Sequence, residues 1–235
     1  MQLERILQSQ GFGTRKDCRV LIRHRRVMVN GALCDNPFAE YATDGLNFSI
    51  DDATWPFQAQ ATIILHKPAD YECSRQPQHH RSIFELIPEP LRERGVQPIG
   101  RLDADTTGLL LLTDDGQLNH RLASGKRRVP KVYRVTTRHP LTPESIASLL
   151  DGVQLHDEPA PIKAAAAEPI DTHTLRLTVT EGKYHQVKRM IAAVGNRVEA
   201  LHRERFAGLA LPADLPAGHW RWLTPEALAQ AGQAE

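Results

Sequence analysis

Four consecutive leucines, Leu109 to Leu112, closed by the turn sequence Thr113-Asp114-Asp115-Gly116, constrain this chain more than any other stretch. A short, fully apolar run bounded by turn residues reads as a buried strand. The loop leading into it, Gly100-Arg101-Leu102-Asp103-Ala104-Asp105-Thr106-Thr107-Gly108, is polar and carries two acids. A carboxylate where a loop meets a buried strand is held rigidly and partly desolvated. Those are the conditions that a nucleophile or a general base needs. On composition alone the same residues also describe a turn whose Asp and Thr side chains cap backbone amides. Asp103 and Asp105 are two apart, so an extended backbone would place both on one face, a spacing compatible with a paired acid and base. A simpler reading makes Asp103 the reactive group and Asp105 a loop former bonded to Thr107 or to backbone amides.

Upstream the organisation changes. Leu3, Ile6 and Leu7 have helical spacing, and that segment ends at Gly11-Phe12-Gly13. Thr14 offers an N-cap, with Asp17 in the first turn, to a second helix burying Cys18, Leu21 and Ile22. Val27 and Val29, the Asn30-Gly31 turn and Leu33 then read as a tight hairpin. Residues 52–60 lack periodicity and contain Pro56, which places a linker there and divides the chain into residues 1–55 and 60–235. Beyond it Thr62 to Leu65, Leu109 to Thr113, Val132 to Thr136 and Leu175 to Thr180 read as strands. Thr142-Pro143-Glu144 and Thr224-Pro225-Glu226 open helices. Val187, Met190, Ile191 and Val194 form one apolar helical stripe. Strands and helices mixed without regular alternation predict an α+β fold: a small α/β module followed by a domain around a mostly antiparallel sheet.

The net charge of +1 hides three basic clusters, around Arg15 to Arg26, Arg121 to Arg134, and Lys183 to Arg205. Basic groups interrupted by few acids are the electrostatic footprint of a polyanion partner, although any one cluster alone can be a solvated face. Cys18, Cys34 and Cys73 are odd in number and form no CxxC pair, which predicts a reducing compartment and neither disulfide nor zinc site. Glu181 and His185 are too sparse for a metal site. There is no P-loop string, and Gly11-Phe12-Gly13 lacks the rest of a dinucleotide fingerprint. No apolar stretch is long enough to cross a bilayer, and no secretory signal is visible. The expected location is the cytoplasm, with no membrane association.

The chain also resembles known families along most of its length. Arg5, Arg15, Arg19, Arg23 and the string Arg26-Val27-Met28-Val29-Asn30-Gly31 match the S4-type RNA-binding module in order and spacing. Thr14 stands where serine is usual there, and His24-Arg25 replaces a turn that commonly contains glycine. The Gly100–Gly116 string matches the signature motif of pseudouridine synthases, and Asp103 stands at the place of their catalytic aspartate. The resemblance favours the single-aspartate reading.

It further implies that Tyr133, in Lys131-Val132-Tyr133-Arg134-Val135, packs its ring against the target uracil beside that aspartate. Lys188, in Tyr184-His185-Gln186-Val187-Lys188-Arg189-Met190, would form an ion pair with it. Without the resemblance, Tyr133 reads as a half-buried sheet residue and Lys188 as a lysine whose amine snorkels outward. The Lys67-Pro68 loop, with Asp70 where glycine is usual, and Leu201-His202-Arg203-Glu204-Arg205 complete a similarity to the RsuA type of the family. That branch modifies small-subunit ribosomal RNA.

The implied activity is conversion of one uridine, in the 5′ domain of that RNA, to pseudouridine, without organic cofactor or metal. The implied RNA contacts are Arg15, Lys16, Arg19, Arg23, Arg26, Lys67, Arg101 and Arg189. The expected form is a monomer acting on a partly assembled ribonucleoprotein. A sister-branch enzyme for large-subunit RNA and a catalytically silent assembly factor are the rival readings.

Overall fold

Local signals act first in the N-terminal part. Thr14 and Asp17 cap the helix Arg15–Arg23 reciprocally: the Asp17 amide donates to the Thr14 hydroxyl, and the Thr14 amide donates to the Asp17 carboxylate at 2.9 Å. Cys18 and Ile22 are buried beneath that helix, while Leu21 is half-buried. Asn30 and Gly31 both take positive φ (49° and 81°), as a two-residue hairpin turn requires, and join Val27–Val29 to Ala32–Cys34. Asn47–Ile50 and Ala53–Pro56 complete a four-stranded antiparallel sheet.

The computed structural model, which describes residues 1–232, corrects the expected linker. Residues 53–56 form an edge strand rather than a loop, a position that tolerates Pro56. Trp55 is buried and meets the Phe12 ring edge-on at 5.3 Å, and Phe48 meets the same ring at 5.5 Å. The chain divides into two compact units, and the first also takes in Ile87–Gln97 together with Met1–Ala61. Arg94 donates to the Gln10 side-chain oxygen and to the Gln58 carbonyl, both at 2.8 Å. A Cβ on Gly11 would lie 2.1 Å from the Pro90 carbonyl oxygen.

The second unit is built on a long sheet. Its strands run in the order Ala166–Pro169, Thr174–Val179, Lys131–Thr137, Val198–Phe206, Thr107–Thr113, Thr62–Lys67 and Trp220–Trp222. Every neighbouring pair along that path is antiparallel except Val198–Phe206 with Thr107–Thr113. All four leucines of the central run are at most 1% exposed, so both faces of that strand are covered. The turn that closes the strand also starts the next element. There the Asp115 carboxylate accepts from the amides of Gln117 and Leu118 and caps the helix Gly116–Ala123.

The parallel junction rests on Gly108. Its φ is +108°, and a Cβ there would lie 2.3 Å from the Arg203 carbonyl oxygen. Only glycine meets both demands. A Gly108→Ala protein is expected to lose about 3 kcal/mol or more of unfolding free energy, from overpacking and backbone strain together. The urea midpoint measures it, and a midpoint equal to wild type would show that the two strands can separate freely.

Candidate active site

Asp103 lies in the loop that enters the leucine strand, where the Thr106 amide closes a turn onto its carbonyl. Lys67 holds that loop from below. It ends the neighbouring strand opposite Gly108, is fully buried, and donates to the carbonyls of Pro68 (3.0 Å), Ala104 (2.9 Å) and Thr106 (2.8 Å). Burial pushes its pKa below the ordinary lysine value. Lys67 is therefore no RNA contact, contrary to expectation: all three donor directions of its ammonium point at backbone oxygens. Asp70 adds a further stitch, its amide donating to the Ala104 carbonyl at 2.8 Å. Its φ of +64° is the conformation for which glycine is usual, and Asp tolerates it.

Lys188, on the helix Gln186–Ala193, reaches both acids of the loop. Its amine lies 3.0 Å from Asp103 Oδ2 and donates to Asp105 Oδ1 at 2.7 Å and Oδ2 at 2.9 Å. The expected role of Asp105 is thereby corrected. Its carboxylate faces Lys188 and, together with Asp103, offsets the hydration that the half-buried ammonium loses. Burial opposes the charge on both groups, but their mutual bonds win. Asp105 is held below the usual aspartate value, and Lys188, with Asp103 also contributing, above the usual lysine value. His185 completes the surround, with Nε2 3.4 Å from Asp103 Oδ1. The ring of the exposed Tyr184 stacks on it at 3.8 Å.

Asp103, Lys188 and His185 share a cavity of about 150 Å³ with Tyr133. Tyr133 is 8% exposed and presents its ring from the strand Lys131–Thr137. Arg101 is exposed and belongs to the same cavity lining. Arg189 turns elsewhere: its guanidinium donates to the Tyr184 carbonyl at 3.3 Å and lies 3.7 Å from Asp157.

In the N-terminal unit Arg15, Lys16 and Arg23 are exposed. Arg19 and Arg26 differ from the expectation of free phosphate contacts. Arg19 is ion-paired to Glu4, whose side chain is buried, and Arg26 to Asp51. A carboxylate buried like that of Glu4 needs such a cation, so the first duty of Arg19 is structural.

Two further cavity residues are hidden in the sequence. Arg203 is 1% exposed, and Lys131 is half-buried beside it. Along the chain both sit in basic clusters that look like solvated faces. A bulge decides otherwise. Lys131 pairs with Phe206, Val132 with Arg205, and Tyr133 with Arg203, so that 203 and 206 face one side although three residues apart.

A carboxylate beside a cation, in one cavity with an aromatic ring, brings an acid and a flat stacking surface together. Similarity to known proteins agrees with it: residues 61–193 match the family described as RNA pseudouridylate synthase, and the chain belongs to that family. It is 39% identical to the ribosomal small subunit pseudouridine synthase A of Escherichia coli (strain K12), over 97% of this chain and 99% of that protein. It is 46% identical to the protein of the same name from Yersinia pestis, over 72% of each. A crystal structure of a pseudouridylate synthase superposes with a TM-score of 0.70 at 33% identity, covering 98% of this chain and 99% of that one.

Proposed function

We infer that this protein isomerises one uridine of small-subunit ribosomal RNA to pseudouridine, with Asp103 as the catalytic carboxylate. The observation that carries this reading is the Lys188 amine, 3.0 Å from Asp103 at the wall of the cavity that Tyr133 shares. The N1–C1′ bond of the nucleotide breaks, the base turns, and C5 bonds to C1′ while its proton leaves. Nothing is oxidised and no group comes from outside, so the chemistry calls for no redox cofactor. Asp103 acts on the sugar, either by attack at C1′ or by removing the C2′ proton. The target must leave its stack to reach it, and the Tyr133 ring offers a flat surface for the flipped base. Arg101 takes a neighbouring phosphate or the space that the base vacates.

The small-subunit target is supported by the likeness to relatives of that name, which extends over the basic N-terminal unit as well. Arg15, Lys16 and Arg23 there would meet phosphates, so affinity falls steeply with salt. The protein works as a monomer in the cytoplasm, where its ribosomal substrate is assembled. Among the described residues no helix is long and apolar enough to cross a membrane. The test is a map of pseudouridine in ribosomal RNA from cells lacking the protein. One small-subunit position should lose the modification. Loss confined to large-subunit RNA would assign the sister activity, and an unchanged map would leave a silent RNA-binding protein.

Substrate form provides a second check. Flipping is least costly where pairing is weak, and a finished subunit hides most of its RNA. Initial rates should be highest on a partly assembled particle, ahead of naked RNA and mature subunits. Equal rates on all three would show that assembly state is not what the enzyme reads.

A further inference from the structure

The cavity is lined by five cationic side chains, Arg101, Lys131, Lys183, Lys188 and Arg203, against two acids, Asp103 and Glu181. Glu181 Oε2 is buried and without a hydrogen-bond partner among the described residues. Lys188 is matched by Asp103 and Asp105. Lys131 and Arg203 instead face neutral oxygens: the Lys131 amine donates to the Val129 carbonyl at 2.9 Å, and Arg203 Nε donates to the Leu109 carbonyl at 2.7 Å. A second guanidinium nitrogen of Arg203, Nη2, is buried without a hydrogen-bond partner among the described residues. The two cations flank one aromatic ring, with the Lys131 amine 5.8 Å and the Arg203 guanidinium carbon 5.1 Å from the centroid of Phe206. The bulge brings both onto the face that carries Tyr133. Burial and the neighbouring Arg203 push the Lys131 amine down to about 8, with no acid offsetting them. Two like charges close enough to act on each other, one buried and one half-buried, cost stability unless an anion joins them. Such preorganised charge belongs where negative charge develops during a reaction.

We propose that Lys131 and Arg203 form a cationic floor that stabilises the uracil anion released when the N1–C1′ bond breaks. The inference rests on the activity proposed above. In that step the bonding pair stays on N1 and its charge spreads to O2 and O4. The electron demand left at C1′ is met in one of two ways: by a new bond to an Asp103 oxygen, or by loss of the C2′ proton to that carboxylate with formation of a C1′–C2′ double bond. Either way the base is an anion while it turns. C5 then bonds to C1′, Asp103 is released or returns its proton to C2′, the C5 proton leaves, and N1 gains a proton. The charge therefore exists only between bond breaking and bond making, and a floor that answers it accelerates the reaction without tightening the binding of RNA. A phosphate is the weaker candidate ligand. Phosphates run along the strand outside the pocket, whereas Arg203 lies 1% exposed, one strand from the Tyr133 ring.

The test compares wild type, Lys131→Met and Lys131→Arg in single-turnover reactions. The substrate is a small-subunit RNA transcript carrying either uridine or 5-fluorouridine at the target position. Fluorine makes the detached base a more stable anion, so its release needs less help. Lys131→Met should slow detachment of uracil on the order of 10²-fold and detachment of fluorouracil by clearly less. RNA affinity should stay unchanged, and Lys131→Arg should keep most of the rate. Because both substrates are compared on the same protein, a partly misfolded variant does not alter the ratio. Equal losses on the two bases would overturn the cationic floor while leaving the activity intact. A weakened affinity with an unchanged saturating rate would overturn it too, in favour of a phosphate contact. A wild-type protein inactive on the uridine RNA would overturn the proposed function together with this inference.

Discussion

An Asp103→Asn protein is expected to bind small-subunit RNA as wild type does and to form no pseudouridine from it. The amide keeps the size and shape of the carboxylate, so the turn closed by the Thr106 amide on the residue 103 carbonyl persists. The loop stays anchored from two other directions. Lys67 donates to the carbonyls of Ala104 and Thr106, and Lys188 still holds Asp105. What disappears is an anionic oxygen able to attack C1′ or to take the C2′ proton. An amide does neither, and a loss of roughly 10⁴-fold or more in single-turnover rate follows, the scale seen when a nucleophile is deleted. Thermal unfolding and RNA affinity should barely move. A variant that turns over within tenfold of wild type would remove Asp103 from the chemistry.

Lys188→Met should produce the next largest effect. It removes the one ammonium that Asp103 and Asp105 share, while the His185 ring stays 3.4 Å from Asp103. Asp103 loses both the opposite charge beside it and the group that aims it. The expected loss is about 10²- to 10³-fold in rate, in the range found for removing one fixed charge partner from an active site. Asp105→Asn, which keeps the Lys188–Asp103 pair, should cost far less.

The two single variants should also differ in pH dependence. In wild type Asp105 titrates below its ordinary value and Lys188 above its own. The Asp105 contribution to the ion pair is complete above the ordinary aspartate range and fades only as pH falls through the lowered value. The Lys188 contribution holds until pH rises through the raised value, so the pair stays intact across neutral pH. Without Lys188 the bonds that lower Asp105 are gone, so the acidic limb of any dependence on it should move to higher pH. A Lys188→Met profile parallel to that of wild type would show that the ammonium positions the loop but does not govern its charge.

Much of this protein was legible along the chain because the signals are local. Four adjacent leucines need burial wherever they fall, Thr14 and Asp17 cap a helix from within it, and Asn30-Gly31 accepts the positive φ of a tight turn. The family strings likewise pointed to Asp103, Tyr133 and Lys188, which line one cavity. Tertiary structure decided what depends on which distant groups meet. Lys67 looks like a surface cation until the Ala104 carbonyl, 37 residues away, takes its amine. Asp105 looks like a turn residue until Lys188 arrives from 83 residues downstream. Ile87–Gln97 joins the N-terminal unit across an intervening piece of the other, which no composition shift announces. The positions of Lys131 and Arg203 in the cavity depend on a bulge between two strands some seventy residues apart, where alternation alone would send 203 and 206 to opposite faces. Local sequence thus determined which segments would form and which had to be buried. Long-range pairing decided the direction in which each charged side chain points, because the free energy of a charge is set by its partners in space and by its burial.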